Sequence, residues 1–471
     1  MNLPDLKKAK IRTSEKVNVI KDDYKIPDNI KNIGKGKKFY LKTYGCQMNV
    51  HDSENIKGML NDLMYTETEE MDEADLILLN TCAIRENAHN KFFGFLGRVK
   101  HLKEYKPNII VGVCGCMAQE ENVCDILKKN PVVNLVFGTH NLHKLPQLLA
   151  DAIKTNEQQI EVYSIEGNVY ENVPVKRDSK YKAWVNIQFG CDKFCTYCIV
   201  PYTRGKQRSR MPEDIINEVK ELVNEGYLEV TLLGQNVNAY GKDLDMNYTM
   251  ANLLSDVAKT GIKRLRFVTS HPWDFSDEMI DTIAKYDNIM PYIHLPLQSG
   301  SNRILKLMGR RYTKEEYFEL FTKLKERIPG CSITTDIIVA FPGETEEDFN
   351  DTLEMVNKCQ YDSAFTFIYS PREGTPAAKM ANPLTEDEKN ERLYKLNELV
   401  NKYALENNLK YKGKKVQVLI EGVGEKNTLF GYTDTMKLVN VEGSEDYIGK
   451  IVDVIITDVK TWSLDGEIAK K

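Results

Sequence analysis

The stretch Gly190-Cys191-Asp192-Lys193-Phe194-Cys195-Thr196-Tyr197-Cys198 places three thiols in a C-x3-C-x2-C spacing. A structural zinc site closes its shell with four Cys or His ligands, and no fourth follows in this loop. A cubane iron-sulfur cluster is instead held by thiolates at its irons, and a short loop can wrap one face of it. Three thiolates leave one iron open to a further ligand, which suits a reaction centre better than a pure electron carrier. Zinc binding and disulfide formation stay open as alternatives for these cysteines.

A second trio is spread along the amino-terminal third. Cys46 in Tyr44-Gly45-Cys46, Cys82 in Asn80-Thr81-Cys82 and Cys116 in Cys114-Gly115-Cys116 are separated by 36 and 34 residues, close to one βα repeat. Each follows an apparent strand, so parallel strands of one sheet bring the thiols to its carboxyl edge, where ligands of α/β sheets gather. A helix starting just beyond each thiol favours the thiolate form. A lone cysteine is more often an ordinary buried thiol. Three at equivalent strand ends point to a second three-cysteine cluster, again with an open iron. Cys114 and Cys124 are spare thiols, and Cys114 lies close enough to Cys116 to compete for its assignment.

Stepping outward, strands are expected over 39–44, 75–80, 108–113 and 134–137, with helices over 53–64, 86–105 and near 120–129, a small α/β domain spanning 38–153. Residues 1–37 mix Lys, Asp, Asn and Pro without a period and read as a flexible extension. Gly34-Lys35-Gly36 within it follows no strand and lacks the third glycine of a phosphate loop. A polar connection over 154–180 leads to a core over 177–408. Here strands at 183–189, 228–233, 264–269, 292–297, 332–340 and 364–369 alternate with helices at 212–225, 250–260, 276–285, 314–327 and 346–358. Six units are too few for a closed eight-stranded barrel, so an open, partial (β/α)6 barrel with its site at the carboxyl ends of the strands is expected.

Those ends carry Gln235, Asn236, Ser270, His271, Gln298 and Ser299, and Asp336 lies inside the apolar run Thr335 to Gly343. A carboxylate there is costly unless something satisfies it, and a ribose diol would. Helix caps and sheet-edge hydrogen bonds are the competing explanation. His271 and His294 stand alone as packing or hydrogen-bonding residues, and His140 and His143 lack a third ligand. After a helical stretch at 386–408, five short strands at 414–421, 429–433, 436–441, 448–457 and 461–467 suit an all-β Greek-key barrel of the OB type over 411–471.

The chain has 471 residues, ten cysteines and a formal charge of −5. Its polar, lysine-rich opening lacks an apolar signal core, and no apolar run is long enough for a bilayer, so a soluble cytoplasmic protein without a membrane partner is expected. Ten cysteines in such a setting indicate metal or redox chemistry more than disulfides. The overall charge offers nucleic acid no general attraction, so phosphate contacts must come from local patches. Arg204, Lys206, Arg208 and Arg210 follow the cluster loop directly; a solvated face is the usual reason for such a run, but the place favours positioning a phosphate. On the last barrel, Lys414 and Lys415, with Lys412, Phe430, Tyr432, Lys437, Lys460 and Trp462, make either a nucleic-acid face or a structural cap.

The cluster loop resembles that of the radical S-adenosylmethionine (SAM) enzymes. The whole pattern after Lys38 resembles the methylthiotransferases, which join a three-cysteine domain, a radical SAM core and a terminal TRAM barrel. Two stretches select within that family: Thr43-Tyr44-Gly45-Cys46-Gln47-Met48-Asn49, and Cys191 to Gly205 with Cys198-Ile199-Val200-Pro201-Tyr202-Thr203-Arg204-Gly205. Both are similar to the branch that acts on isopentenyladenosine in tRNA. The branch acting on a ribosomal protein has Pro-Lys-Asn-like residues after its first Cys, and the threonylcarbamoyladenosine branch has Lys-Val-Asn.

The resemblance implies two [4Fe-4S] clusters, one on Cys191, Cys195 and Cys198 and an auxiliary one on Cys46, Cys82 and Cys116. It implies SAM contacts from Gln298, Arg310 and Asp336, with Gln235 near the SAM amino group. The first cluster would reduce SAM to methionine and a 5′-deoxyadenosyl radical; the second would hold sulfur methylated by another SAM. The radical would take hydrogen from carbon 2 of isopentenyladenosine at tRNA position 37, and methylthio transfer would follow. That C–H bond has no useful acidity, which is why cofactors carry the chemistry, and a loop base can be splayed into a pocket. Implied partners are the tRNA, a low-potential electron donor of flavodoxin or ferredoxin type and a sulfur source. A methylthiotransferase for another tRNA base or a protein, a non-catalytic iron-sulfur carrier and an inactive tRNA-binding module are the alternatives.

Overall fold

The run Leu76–Thr81 is buried at every position, as a strand covered on both faces must be. In the computed structural model, which describes residues 19–83, 86–162, 168–425 and 428–469, it lies within a six-stranded sheet. The order is Thr66–Glu67, Lys38–Thr43, Leu76–Thr81, Ile110–Gly115, Leu135–Phe137 and Gln159–Glu161, all parallel. The helices Gln47–Asp62 and Leu145–Thr155 bury Ile56, Met59, Leu60 and Leu149 on one face. Those at Glu86–Tyr105 and Glu121–Lys128 bury Phe92, Phe95 and Leu127 on the other.

Three features differ from expectation. The first helix starts at Gln47, not 53, because Gly45 at φ 149° ends the strand and Cys46 is already the extended residue before the helix. The supposed extension is ordered from its second half: Ile20–Asp23 pairs in parallel with Asn168–Glu171, and Ile30 is buried against the sheet's helices. Residues 1–18 lie outside the described part. The polar connection likewise supplies two strands, Gln159–Glu161 and Asn168–Glu171. Such short, charged edge strands carry too little apolar alternation to register as a period.

The central strands Lys182–Asn186, Glu229–Leu233 and Arg264–Phe267 form one parallel sheet, and Tyr292–His294, Ser332–Val339 and Ser363–Ile368 another. A bridge between Leu265 and Ile289 joins them, so six strands run in chain order as an open barrel. Helices wrap the outside, four of them started by capping boxes at Thr249, Thr313, Thr345 and Thr385. The third and fourth strands stop short of 269 and 297. Thr269 is left-handed at φ 68°, and Pro296 has no N–H to donate to a ladder.

The strands Lys415–Val423, Leu429–Thr433, Leu438–Glu442, Leu464–Ile468 and Ile451–Val459 close into a barrel in that order. It docks on the amino-terminal ends of the central strands. Arg264 donates to the Tyr432 and Thr433 carbonyls at 2.9 and 2.6 Å, Lys437 pairs with Asp362 at 3.0 Å, and Lys182 pairs with Glu421. The terminal barrel therefore sits at the opposite end of these strands from the cysteine loop.

Candidate functional site

Gly190 ends the first barrel segment at φ 73°, where an added Cβ would lie 2.0 Å from the Lys206 carbonyl oxygen. That close approach lets the cysteine loop turn beneath the 205–207 segment. The Cys191 N–H donates to the Gly205 carbonyl at 3.1 Å, and the Gln207 N–H to Asp192 at 3.0 Å. From the second strand's end, Gln235 Oε1 accepts the Gly190 N–H. The Thr196 N–H donates to the Met308 carbonyl at 2.9 Å, and its hydroxyl to Leu307 at 2.8 Å. Lys193 pairs with Asp274 at 3.0 Å and lies 3.9 Å over the ring of Trp273. The loop is thus held by elements following strands two, three and four.

Cys191 and Cys195 are buried and Cys198 is half-buried; burial raises the Cys191 thiol and pushes Cys198 up to about 12. Arg310 lies against them, donating to Cys195 Sγ at 3.6 Å, to the Pro296 carbonyl at 3.1 Å and through Nε to the Tyr312 hydroxyl at 2.9 Å. Gln298 is left-handed at φ 69° and bridges to the fifth strand. With Thr269 and Ala340 (φ 56°), three consecutive strands end on left-handed residues that are not glycine, a concentration of backbone strain typical of binding rims. Asp336 meets His294 Nε2 at 3.3 Å, so the histidine read as a packing or hydrogen-bonding residue is the partner of the expected ribose contact. Gln235 and Arg310 contact the loop, and Gln298 donates its N–H to the Asp336 carbonyl at 2.8 Å.

The other trio sits at the carboxyl edge of the amino-terminal sheet. Gly45 permits that edge to close: a Cβ on it would stand 2.9 Å from the Cys82 Cβ. Asn49 and Asn80, which the sequence reading left unassigned, knit the three strand ends. Asn49 Nδ2 donates to Asn80 Oδ1 and to the Thr81 carbonyl at 3.1 Å each, and Asn80 Nδ2 donates to the Asn49 carbonyl at 2.8 Å and Ser53 at 2.9 Å. Thr81 donates to the Cys114 carbonyl at 2.6 Å. Their signal was present, since Asn80 is an amide inside an apolar strand, as Asp336 is a carboxylate inside one. A hydrogen bond from Cys82 lowers the Cys46 thiol to about 6 against the effect of burial, with Arg204 and the Asn49 and Met48 N–H groups adding to it. Cys116 goes the other way, raised by burial. Cys114 is buried in the apolar core below the edge, which raises its thiol, and Cys124 packs on the far face.

The donor sets suit cubanes. All six cysteines are free thiols, and no group of three His, Cys, Asp or Glu among the described residues is arranged to hold a single metal ion.

The two trios meet across one segment. The helical turn Val200–Thr203, directly after Cys198, packs Ile199 and Tyr202 against Cys116 and Ala83. The Arg204 guanidinium then pairs with Asp52 at 2.6 Å, one helical face beyond Cys46.

This corrects the reading of the basic run. Arg204, Lys206, Arg208 and Arg210 are 5, 8, 6 and 9 % exposed and offer no phosphate surface. Arg210 is held by Glu171 at 2.6 Å and Glu218 at 2.8 Å, and Arg208 donates to the Asn168 and Arg204 carbonyls. These cations tie the barrel to the amino-terminal domain around a polar cavity of about 440 Å³, lined in part by His51, Asp52, His140 and Glu218. None of Gln235, Gln298, Arg310 or Asp336 lines it. On the terminal barrel Lys414 and Lys415 are exposed, Lys415 pairing with Asp453 at 2.7 Å. Lys437 is buried against Asp362 and is not part of that surface.

Residues 38–138 match Uncharacterized protein family UPF0004, residues 185–356 the Radical SAM superfamily and residues 409–469 the TRAM domain. The tRNA-2-methylthio-N6-dimethylallyladenosine synthase of Halalkalibacterium halodurans is 55 % identical, over 99 % of this chain and 88 % of its own. The synthase of the same name from Bacillus subtilis is 56 % identical over 99 % and 92 %. Among solved structures, the radical SAM methyltransferase TsrM of Kitasatospora setae shares the fold with a TM-score of 0.53 at 15 % identity, covering 73 % of this chain and 75 % of that one.

Proposed function

This chain belongs to the family of the tRNA-2-methylthio-N6-dimethylallyladenosine synthases, and we propose that it makes their product, with the cysteine trios 191/195/198 and 46/82/116 as the seats of its two clusters. The enzyme is a radical SAM methylthiotransferase that uses SAM and [4Fe-4S] clusters on a tRNA substrate. When bound, the clusters and SAM supply the electron, the radical and the methylthio sulfur. The protein's own residues hold, orient and shield. Cys191, Cys195 and Cys198 bind one cluster, Gln235 fixes the N–H of Gly190 and so the loop's entry, and Arg310 sets a guanidinium beside Cys195 for the SAM carboxylate. Gln298 and Asp336 contact the rest of SAM. Cys46, Cys82 and Cys116 bind the auxiliary cluster, oriented by Asn49 and Asn80. The observation that carries this reading is the Ile199–Arg204 segment, which leaves one trio and packs on the other.

The substrate adenosine is the one at tRNA position 37, by the family resemblance. Lys414 and Lys415 are its phosphate contacts in the terminal barrel, supported by their exposure; the run from Arg204 to Arg210 is not among them. The amino-terminal division runs from 38 past 153, because its sheet takes in Gln159–Glu161, and is followed by working divisions at 177–408 and 411–471. Reductive cleavage of SAM requires a low-potential donor of flavodoxin or ferredoxin type, and methylthiolation requires a sulfur source. No helix among the described residues is long and apolar enough to cross a membrane, in keeping with action on tRNA in the cytoplasm. Anaerobic reconstitution with iron and sulfide, followed by SAM, reductant and dimethylallyladenosine tRNA, tests the assignment. The expected digest contains the 2-methylthio nucleoside together with 5′-deoxyadenosine; 5′-deoxyadenosine with unchanged tRNA would leave the radical core standing and remove the substrate.

A further inference from the structure

We propose that Phe365 and Phe367 receive the dimethylallyl-bearing adenine inside the open barrel and determine which adenosine is accepted, an inference that rests on the tRNA reading above. The two rings alternate along Ser363–Ile368, the sixth strand and the barrel's free edge. Residues between them face the helices: Thr366 hydrogen-bonds Asn397 at 2.5 Å, and Ala364 and Ile368 pack into the central core. Strand alternation therefore turns Phe365 and Phe367 to the barrel interior. There they are 54 % and 47 % exposed, although large aromatic side chains on an interior sheet face ordinarily bury themselves.

Their neighbours define what they can hold. Asp336 is in register with Phe365 and Ile338 with Phe367. His294 joins Asp336 at 3.3 Å and Thr334 at 3.0 Å, and stands edge-on to Phe365 with ring centroids 6.0 Å apart. One side of the patch is thus a polar pair and the other is two aromatic rings backed by an aliphatic side chain. A flat heteroaromatic ring with a branched apolar substituent matches this division, the ring stacking and the alkenyl group lying on the second phenylalanine. The patch lies on the strand bordering the barrel's opening, so a base extruded from a loop can enter from the side. It also shares its strand pair with Asp336, which places the base beside the expected SAM ribose contact. A polar substituent such as a threonylcarbamoyl group would leave its hydrogen-bonding groups unpaired against the two rings.

The test compares tRNA carrying and lacking the dimethylallyl group, with wild type, Phe365→Ala, Phe367→Ala and the milder Phe365→Leu and Phe367→Leu. The readouts are KM, kcat, tRNA affinity at fixed salt and SAM affinity. Each alanine is expected to raise KM for the dimethylallylated tRNA about tenfold; Phe367→Ala leaves affinity for the tRNA lacking the group unchanged, so that discrimination collapses, whereas Phe365→Ala removes the stacking face and weakens both. The leucine variants keep apolar volume and lose the stacking face, giving a smaller rise; they decide the matter if an alanine variant does not fold. Equal losses for both tRNAs from Phe367→Ala, or a loss in SAM affinity from either alanine variant, would assign the rings elsewhere and overturn the inference. Wild-type enzyme that forms no 2-methylthio nucleoside would remove the functional reading itself, and this one with it.

Discussion

Single buried charges separate structure from chemistry here. Glu54 lies on the helix that begins at Gln47 and accepts the Asp178 N–H at 3.1 Å. Burial raises its carboxyl from 4.5 to about 7. The folded chain therefore binds this proton more tightly than the unfolded chain does, so the group's stabilising effect is complete below the unfolded value and is lost as pH rises through about 7. Glu54→Gln keeps the acceptor without the titration. It is expected to match wild type near pH 4 and to exceed it by on the order of 2–3 kcal/mol near pH 8.5, read from urea midpoints at the two conditions. Arg210 is the opposite case. Arg210→Ala would strand Glu171 and leave Glu218 to Arg177 alone, a loss of about 3 kcal/mol expected to appear as a lower Tm. Its tRNA binding, measured below the new Tm, should show an unchanged salt slope, because Arg210 touches no phosphate.

The cysteine loop depends on the elements that turn it. Gly190 combines φ 73° with a Cβ position 2.0 Å from the Lys206 carbonyl oxygen, so no side chain fits without shifting the 205–207 segment. In a background with Cys46, Cys82 and Cys116 replaced by alanine, Gly190→Ala is expected to lose most of the iron bound by the remaining site after reconstitution. Full retention would show that the loop tolerates the shift. The loop's cysteines were legible because ligand type and spacing are local. The first helix's early start at Gln47 was not, since it depends on a strand-ending glycine and on Asn49 closing over Asn80, contacts between residues far apart in sequence.

At the scale of the molecule, the terminal barrel holds the amino ends of the central strands while the cysteine loop occupies the carboxyl ends. A tRNA that reaches both must run along the flank of the open barrel, with electrostatic contact spread away from the chemistry. Lys414→Ala and Lys415→Ala are expected to weaken binding to all tRNAs alike and to reduce the slope of log affinity against log salt by about 1 each. The 2-methylthio yield at saturating tRNA should hardly change. A lowered yield with an unchanged slope would place these lysines in the reaction path and not on the phosphate track.

The kind of cofactor, the chain order of the three folding units and the six candidate ligand thiols are set by residue type and spacing along the chain, because a thiol at a strand end remains a thiol wherever the strand goes. The destiny of a charge or an aromatic ring is different, because it depends on what a distant element brings against it. Arg204 meets Asp52 from 152 residues away, so a run that reads as a phosphate patch becomes a buried joint between domains. Phe365 and Phe367 look like core residues until strand alternation turns them to the barrel interior beside the His294–Asp336 pair. Covalent spacing decides which groups are available; only packing decides which of them face a ligand, since burial and pairing are properties of the assembled surfaces.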